Sequence, residues 1–226
     1  MRILAIDTAL ANCAAAVLDD GDEKHCHVLV TEEIGRGHAE RLMEMIGEAM
    51  AESSSAFTDL DRVVVTTGPG SFTGLRVGLS VAKGIGLVLE KPVVGVTTLA
   101  VIAASTSSSG TNGAPFLVAL NGKGDEVYCQ SFDAGGSPIE EPGVRTVSEL
   151  ATSLSANVKL AGSAARTIAE AAGRSQDFVL NETSYPDIAE VARLGIISDP
   201  RGAIATPLYL RPPDATPQKK GRIERQ

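Results

Sequence analysis

The residues that could carry chemistry in this chain are few, and each is set in a spacing that limits what it can do. Asp7 closes the apolar run Ile3-Leu4-Ala5-Ile6, where a carboxylate can hold a magnesium-bound water beside a phosphate. A phosphate loop at that point needs glycines so that the backbone can approach, and the chain reads Thr8-Ala9-Leu10-Ala11-Asn12 instead. The segment Gly68-Pro69-Gly70-Ser71-Phe72-Thr73-Gly74 joins a strand-like run to a helix-like one. Its backbone N–H groups and the helix dipole can hold an anion. It lacks the Gly-Lys-Ser/Thr ending of a P-loop, because Gly74 is followed by Leu75-Arg76. Two readings stay open: a tight turn with Ser71 or Thr73 as helix N-cap, or an anion loop formed by Asp7, Gly68, Gly70, Ser71 and Thr73.

The remaining candidates are weaker. His25-Cys26-His27 lies on a strand-like stretch, where successive side chains point to opposite faces, so the three cannot converge on one ion. With no HExxH and no CxxC in the chain, no metal site is expected. His38 stands before a helical pattern, as a cap or a lone base without an identifiable partner. Ser71 is not in a GxSxG elbow. No catalytic residue is assigned.

The elements that would position these residues follow from hydrophobic period. Three strand-like stretches open the chain, ending near Asp7, Asp19 and Val30, which suggests an antiparallel meander. Helical spacing takes over from His38 to Ala51, a strand follows at Val63-Val64-Val65, a long helix spans Phe72 to Glu90, and Pro92–Val96 and Thr97–Ala104 read as strand and helix. The stretch Thr106–Gly113 is of low complexity, rich in Ser, Thr and Gly, and a hinge or domain boundary is placed at its edge. Beyond it the order partly repeats, with a hairpin around Asn121-Gly122-Lys123-Gly124, a strand near Val144, helices near 148–154, 164–172 and 186–194, and short strands at 158–160 and 178–180. The reading is a duplicated α/β architecture with one lobe over residues 1–104, a second over 105–211, a cleft between them and a loose tail at 212–226.

Composition bounds the function. The chain has 226 residues, 43% hydrophobic, and a formal net charge of −8, so its overall field does not favour a phosphate backbone. Three scattered cysteines suggest a reducing compartment rather than a disulfide framework. With no signal peptide apparent and apolar stretches broken short of a membrane span, the expectation is a soluble, cytoplasmic protein. In the long helix Gly74, Gly78, Ala82 and Gly86 recur every fourth residue, a stripe that lets another helix or a sheet come very close.

Three segments carry a family resemblance: Met1–Ala9, Gly37-His38-Ala39-Glu40-Arg41-Leu42, and above all Gly68–Gly78. With Glu126-Val127-Tyr128, Gly162-Ser163-Ala164 and Pro207-Leu208-Tyr209-Leu210-Arg211, they make the chain resemble the TsaB (YeaZ) family of bacterial tRNA threonylcarbamoyladenosine biosynthesis proteins, up to Arg211. The resemblance implies an actin-like, Hsp70-like ATPase (ASKHA) fold with two lobes. It implies a non-catalytic subunit that stabilises and activates the paralogue TsaD, together with TsaE, in threonylcarbamoylation of N6 of adenosine 37 in tRNAs reading codons that start with A. TsaD carries two metal-binding histidines after the strand that follows this helix; matching Val94-Gly95-Val96 to that strand puts Thr98 and Ile102 there, and neither side chain suits a metal. The family also implies that the helical pair, through Leu42, Met43, Ile46 and Met50 on one helix and Gly74, Val77, Gly78, Val81 and Ala82 on the other, meets TsaD or a second copy in a homodimer. No cofactor of its own is expected beyond ATP or ADP at the complex interface, and tRNA contact only through the complex, although Lys219, Lys220, Arg222 and Arg225 make the tail basic. The alternative is an enzyme in its own right, a glycoprotease-like hydrolase or an ATPase.

Overall fold

The computed structural model describes residues 1–20, 27–35 and 37–211. The readings placed on His25, Cys26, the side chain of His27 and the tail 212–226 lie outside the described residues.

The first half builds a five-stranded sheet. Strand β1 (Arg2–Asp7) pairs antiparallel with β2 (Asn12–Asp19), and β2 with β3 (His27–Glu33), giving the meander read from the opening apolar runs. Helix α1 (His38–Glu52) then carries the chain across, and β4 (Arg62–Thr66) returns parallel to β1. Helix α2 (Phe72–Leu89) leads to β5 (Val93–Val96), parallel to β4, and α3 (Thr98–Ser109) follows. The order is β3-β2-β1-β4-β5. Strand β4 is buried along its whole length, and β1 from Ile3 onward, which is why both read as unbroken apolar runs rather than alternations.

The second half repeats the plan on a smaller scale. Strands β6 (Phe116–Asn121), β7 (Glu126–Phe132) and β8 (Gly143–Thr146) form the meander, and after α4 (Val147–Ser153) strand β9 (Lys159–Ala161) lies parallel to β6. The order β8-β7-β6-β9 matches β3-β2-β1-β4 of the first sheet, with the same parallel and antiparallel senses. Helices α5 (Ala165–Ala171) and α6 (Ile188–Ile197) complete the chain. This is the duplicated, two-lobed actin-like architecture.

Packing does not follow chain order. Helices α1 and α2 cover one face of the first sheet, through Leu42, Met45, Ile46, Leu75 and Leu79. Its other face is covered by α6, whose Ile188, Val191 and Ala192 lie on Ile3, Ala5 and Val64. Helix α3 packs instead on the second sheet, Leu99 and Ile102 against Phe116, Val118 and Phe132, while α4 and α5 cover the opposite face. The lobes therefore exchange helices, and packing runs across residues 104 and 105.

Three local readings need correction. The low-complexity stretch Thr106–Gly113 is helical as far as Ser109: the hydroxyls of Thr106, Ser108 and Ser109 donate to the carbonyls of Ile102, Ala104 and Ser105, so these residues bond within the preceding helix and extend it. The helix stops at Gly110, at φ 99°. The strand read at 178–180 is a 3-10 turn over Gln176–Phe178 followed by a single bridge from Val179 to Leu160. Finally, α2 is by length and composition apolar enough to cross a membrane, with mean hydropathy 1.4. It lies on the sheet with Gly74, Leu75, Gly78, Leu79, Ala82 and Gly86 buried.

Candidate functional site

Strand β1 ends on Asp7 and neighbouring β4 on Thr66, so the carboxylate meets the hydroxyl at the carboxyl edge of the sheet. Asp7 is fully buried. Its Oδ1 accepts from Thr66 Oγ1 at 2.6 Å and from the Ala9 N–H at 3.0 Å, while Oδ2 is buried without a hydrogen-bond partner. Burial pushes the carboxyl up from 3.8 to about 6, against the lowering pull of those two bonds.

The turn after Asp7 folds down onto the start of α2. Thr8 Oγ1 donates to the Gly74 carbonyl at 2.7 Å, and the Ser71 N–H donates to the Ala9 carbonyl at 2.6 Å. A Cβ on Gly70 would lie 2.1 Å from the Ala9 oxygen, and one on Gly74 would lie 2.1 Å from the Thr8 oxygen. These glycines therefore admit the protein's own backbone. Ser71 is the N-cap, its hydroxyl accepting from the Gly74 N–H at 3.3 Å. Thr73 is exposed on the first turn and caps nothing. Gly68, at φ 104°, accepts from the Thr98 N–H at 2.8 Å. The structure thus brings Asp7, Gly70 and Ser71 to one joint, and the joint is closed. A phosphate at the start of α2 would have to displace the Ala9 carbonyl, so these residues do not fit a phosphate cradle.

The small-residue stripe of α2 finds its neighbour in the same chain. Gly78 faces Thr8 and Val65, and Gly86 faces Val93. Of the nine positions assigned to a partner interface, Leu42, Ile46, Met50, Gly74, Gly78 and Ala82 are buried in their own lobe. The reason is the width of the apolar face: the side of each helix that looked surplus is needed to cover a five-stranded sheet. Met43 is 52% exposed. Val77 and Val81 are half-buried and line a shallow groove with Ala39, Phe72, Arg76 and Ser80.

Other candidates resolve similarly. His38 is the first residue of α1, not its cap: the N-cap is Gly37, and the His38 ring bonds the Leu10 carbonyl at 3.0 Å. Thr98 and Ile102 are buried on α3, and Ile102 sits in an apolar cluster with Phe116 and Phe132. Among the described residues no three of His, Cys, Asp and Glu converge as metal ligands would. Cys13 and Cys129 are buried thiols, both pushed up to about 11 by burial.

A cleft between the lobes was expected from the duplicated order, but its lining was not identified from the sequence. The cleft has a volume of about 510 Å³ and is formed by Leu10, the Pro69–Phe72 loop, the Asn121–Lys123 turn, Tyr128 and the segment Leu208–Arg211. At its rim the Arg76 guanidinium lies 3.7 Å over the Phe72 ring and donates to the Tyr209 hydroxyl at 3.1 Å, and the Phe72 and Tyr209 rings are 5.1 Å apart. Arg211 pairs with Glu126 at 3.0 Å. The segment Pro207–Arg211 was visible as a family match, but nothing in its spacing tells that it returns to the start of α2.

The profile of the TsaD family, tRNA N6-adenosine threonylcarbamoyltransferase, matches residues 29–194. The tRNA threonylcarbamoyladenosine biosynthesis protein TsaB of Escherichia coli is 37% identical over 133 residues, covering 58% of this chain and 55% of that protein, so the match spans about half of that curated relative. An uncharacterized protein of Mycobacterium tuberculosis is 34% identical over 220 residues, 95% of this chain and 94% of its own length. The structure of YeaZ from Pseudomonas aeruginosa superposes with a TM-score of 0.75 at 25% identity, covering 92% of this chain and 99% of that one. With the profile spanning most of the chain and the YeaZ fold nearly all of it, the chain belongs to the TsaD family, on its TsaB (YeaZ) branch of tRNA threonylcarbamoyladenosine biosynthesis proteins.

Proposed function

We propose that the chain is a non-catalytic subunit of the machinery that puts threonylcarbamoyl on N6 of adenosine 37 in tRNA, working in the cytoplasm by stabilising and activating TsaD together with TsaE. The observation that carries this reading is the environment of Ile102. The position matched to a metal-binding histidine of the catalytic paralogue lies buried in a hydrophobic cluster with Phe116 and Phe132, where an imidazole and its ion would be desolvated. The closed joint at Ala9 and Ser71 supports it, since the Ser71 N–H is already bonded to the Ala9 carbonyl and the space at Gly70 and Gly74 is filled by the chain's own backbone, not by phosphates.

The working surface is then the outer side of α1 and α2 around Met43, Val77 and Val81, with the same side serving a homodimer when TsaD is absent. Met43 suits an adaptable contact. Such an interface would bury roughly 1,200–2,000 Å². The test is reconstitution from purified parts. The chain alone should neither hydrolyse ATP nor modify tRNA, and should raise modification by TsaD and TsaE when added. ATP turnover by the chain alone, well above a heat-killed control, would overturn the non-catalytic assignment.

A further inference from the structure

The cleft between the lobes gathers an unusual share of the chain's aromatic side chains. The sequence holds five Phe, three Tyr and no Trp, and Phe72, Tyr128 and Tyr209 all line this one cleft. Phe72 and Tyr209 remain 39% and 42% exposed, and aromatic surface left open at a cleft mouth is a stacking platform. Cationic groups sit beside it: Arg76 stacked on Phe72, Lys123 on the exposed turn, and Arg211, which pairs with Glu126. The chain is acidic overall, with a net charge of −8, and here three cations and three rings gather beside two acids, Glu126 in its pair with Arg211 and Asp125 on the turn.

We propose that this cleft binds an unpaired nucleotide of single-stranded RNA, its base stacked among Tyr128, Tyr209 and Phe72 and its backbone phosphate held near Lys123 and Arg211. The inference rests on the proposed place of the chain in a tRNA-modifying complex. A volume of about 510 Å³ falls within the range of small-ligand pockets. The closed joint argues for RNA over a free nucleoside triphosphate. The Ser71 N–H, which would face a triphosphate at the start of α2, is bonded to the Ala9 carbonyl. A base with one backbone phosphate needs no such cradle, only rings and one or two cations. With one phosphate contact the salt dependence would be shallow, a slope of about −0.7 in log–log form.

The test is fluorescence anisotropy of a labelled, unstructured heptaribonucleotide with the full-length chain at about 50 mM salt, where the electrostatic contribution is strong. Saturable binding should be weakened by Tyr209→Ala at least about fivefold, the lower end of what one stacked base contributes. Lys123→Glu, on a turn exposed to solvent, should weaken binding similarly and decides the matter if Tyr209→Ala disturbs the fold. Both variants should still capture TsaD, which separates this inference from the proposed function. Absence of binding by the wild-type chain, or unchanged binding by Lys123→Glu, would overturn it. Competition by AMP as strong as by the unlabelled heptamer would also overturn it, because the cleft would then be reading a free nucleotide.

Discussion

The two lobes carry the same hairpin at the same place in their topology, and the two turns have opposite fates. In the first lobe the β1–β2 turn, Thr8–Ala11, is pressed onto α2: Thr8 and Ala9 are buried, and their backbone oxygens occupy the space that Gly70 and Gly74 leave free. In the second lobe the β6–β7 turn, Gly122–Asp125, is exposed throughout, and its main closure is the Gly122 N–H to Glu126 carbonyl bond at 2.9 Å. One turn is a structural joint; the other is an open edge of the cleft. A duplicated scaffold thus keeps its strand order while the chemistry available at equivalent positions diverges. What decides is whether a helix start packs on the turn.

The comparison breaks first at the glycines. Gly70→Ala or Gly74→Ala would drive a methyl into a backbone oxygen that cannot move without dismantling the joint, and should cost about 3 kcal/mol or more in a urea titration. Gly124, at φ 67° with nothing within 4 Å of an added methyl, should cost only about 1–2 kcal/mol when changed to Ala, from backbone conformation alone. Equal losses at the two turns would remove the distinction between joint and edge.

The next largest effect concerns Asp7. Its folded pKa of about 6 lies above the unfolded value near 3.8, so the folded state binds more protons between those limits. The protonated acid therefore contributes stability that is full below about pH 4 and lost as pH rises through about 6. At 1.36 kcal/mol per unit the change is up to about 3 kcal/mol. The difference in unfolding free energy between wild type and Asp7→Asn, measured at pH 4 and pH 7, should shift by that amount in favour of the variant at the higher pH. A pH-independent difference would mean that Asp7 is not desolvated as the joint requires. The smallest effect is expected on the exposed turn, where Lys123→Ala should change stability by no more than about 0.5 kcal/mol.

Much of this was legible in the sequence, and the gaps have physical causes. The apolar runs ending at Asp7 and Thr66 announce buried strands, and the period change at His38 announces α1. The spacing of Gly74, Gly78 and Ala82 announces a close approach, but a small-residue stripe reports distance and not identity, so the approaching partner, Thr8 and Val65 of the same chain, was not readable. Similarly, Leu42 and Ile46 read as surplus apolar surface only because the width of the sheet beneath them is not a local property. The crossing of α6 to the first sheet leaves no trace in its period, since an amphipathic helix looks alike on either lobe. The lining of the cleft was hidden because Leu10, Tyr128 and Tyr209 are distant in sequence and meet only in the folded chain.

The outer face of α1 and α2 carries the central claim, that the chain acts by docking rather than by chemistry, and one pair of substitutions on α1 tests it most directly. Met43 is exposed, whereas Ile46, three residues on, is fully buried. Met43→Glu should leave the circular dichroism spectrum and the thermal midpoint close to wild type, while Ile46→Glu should unfold the lobe by burying an unpaired charge. Titrating wild-type chain and Met43→Glu into TsaD and TsaE, with tRNA threonylcarbamoylation as the readout, should show activation by the first and at least a tenfold weaker response to the second, since about 1.4 kcal/mol at an interface suffices for that factor. Folded Met43→Glu that activates TsaD as wild type does would contradict the account.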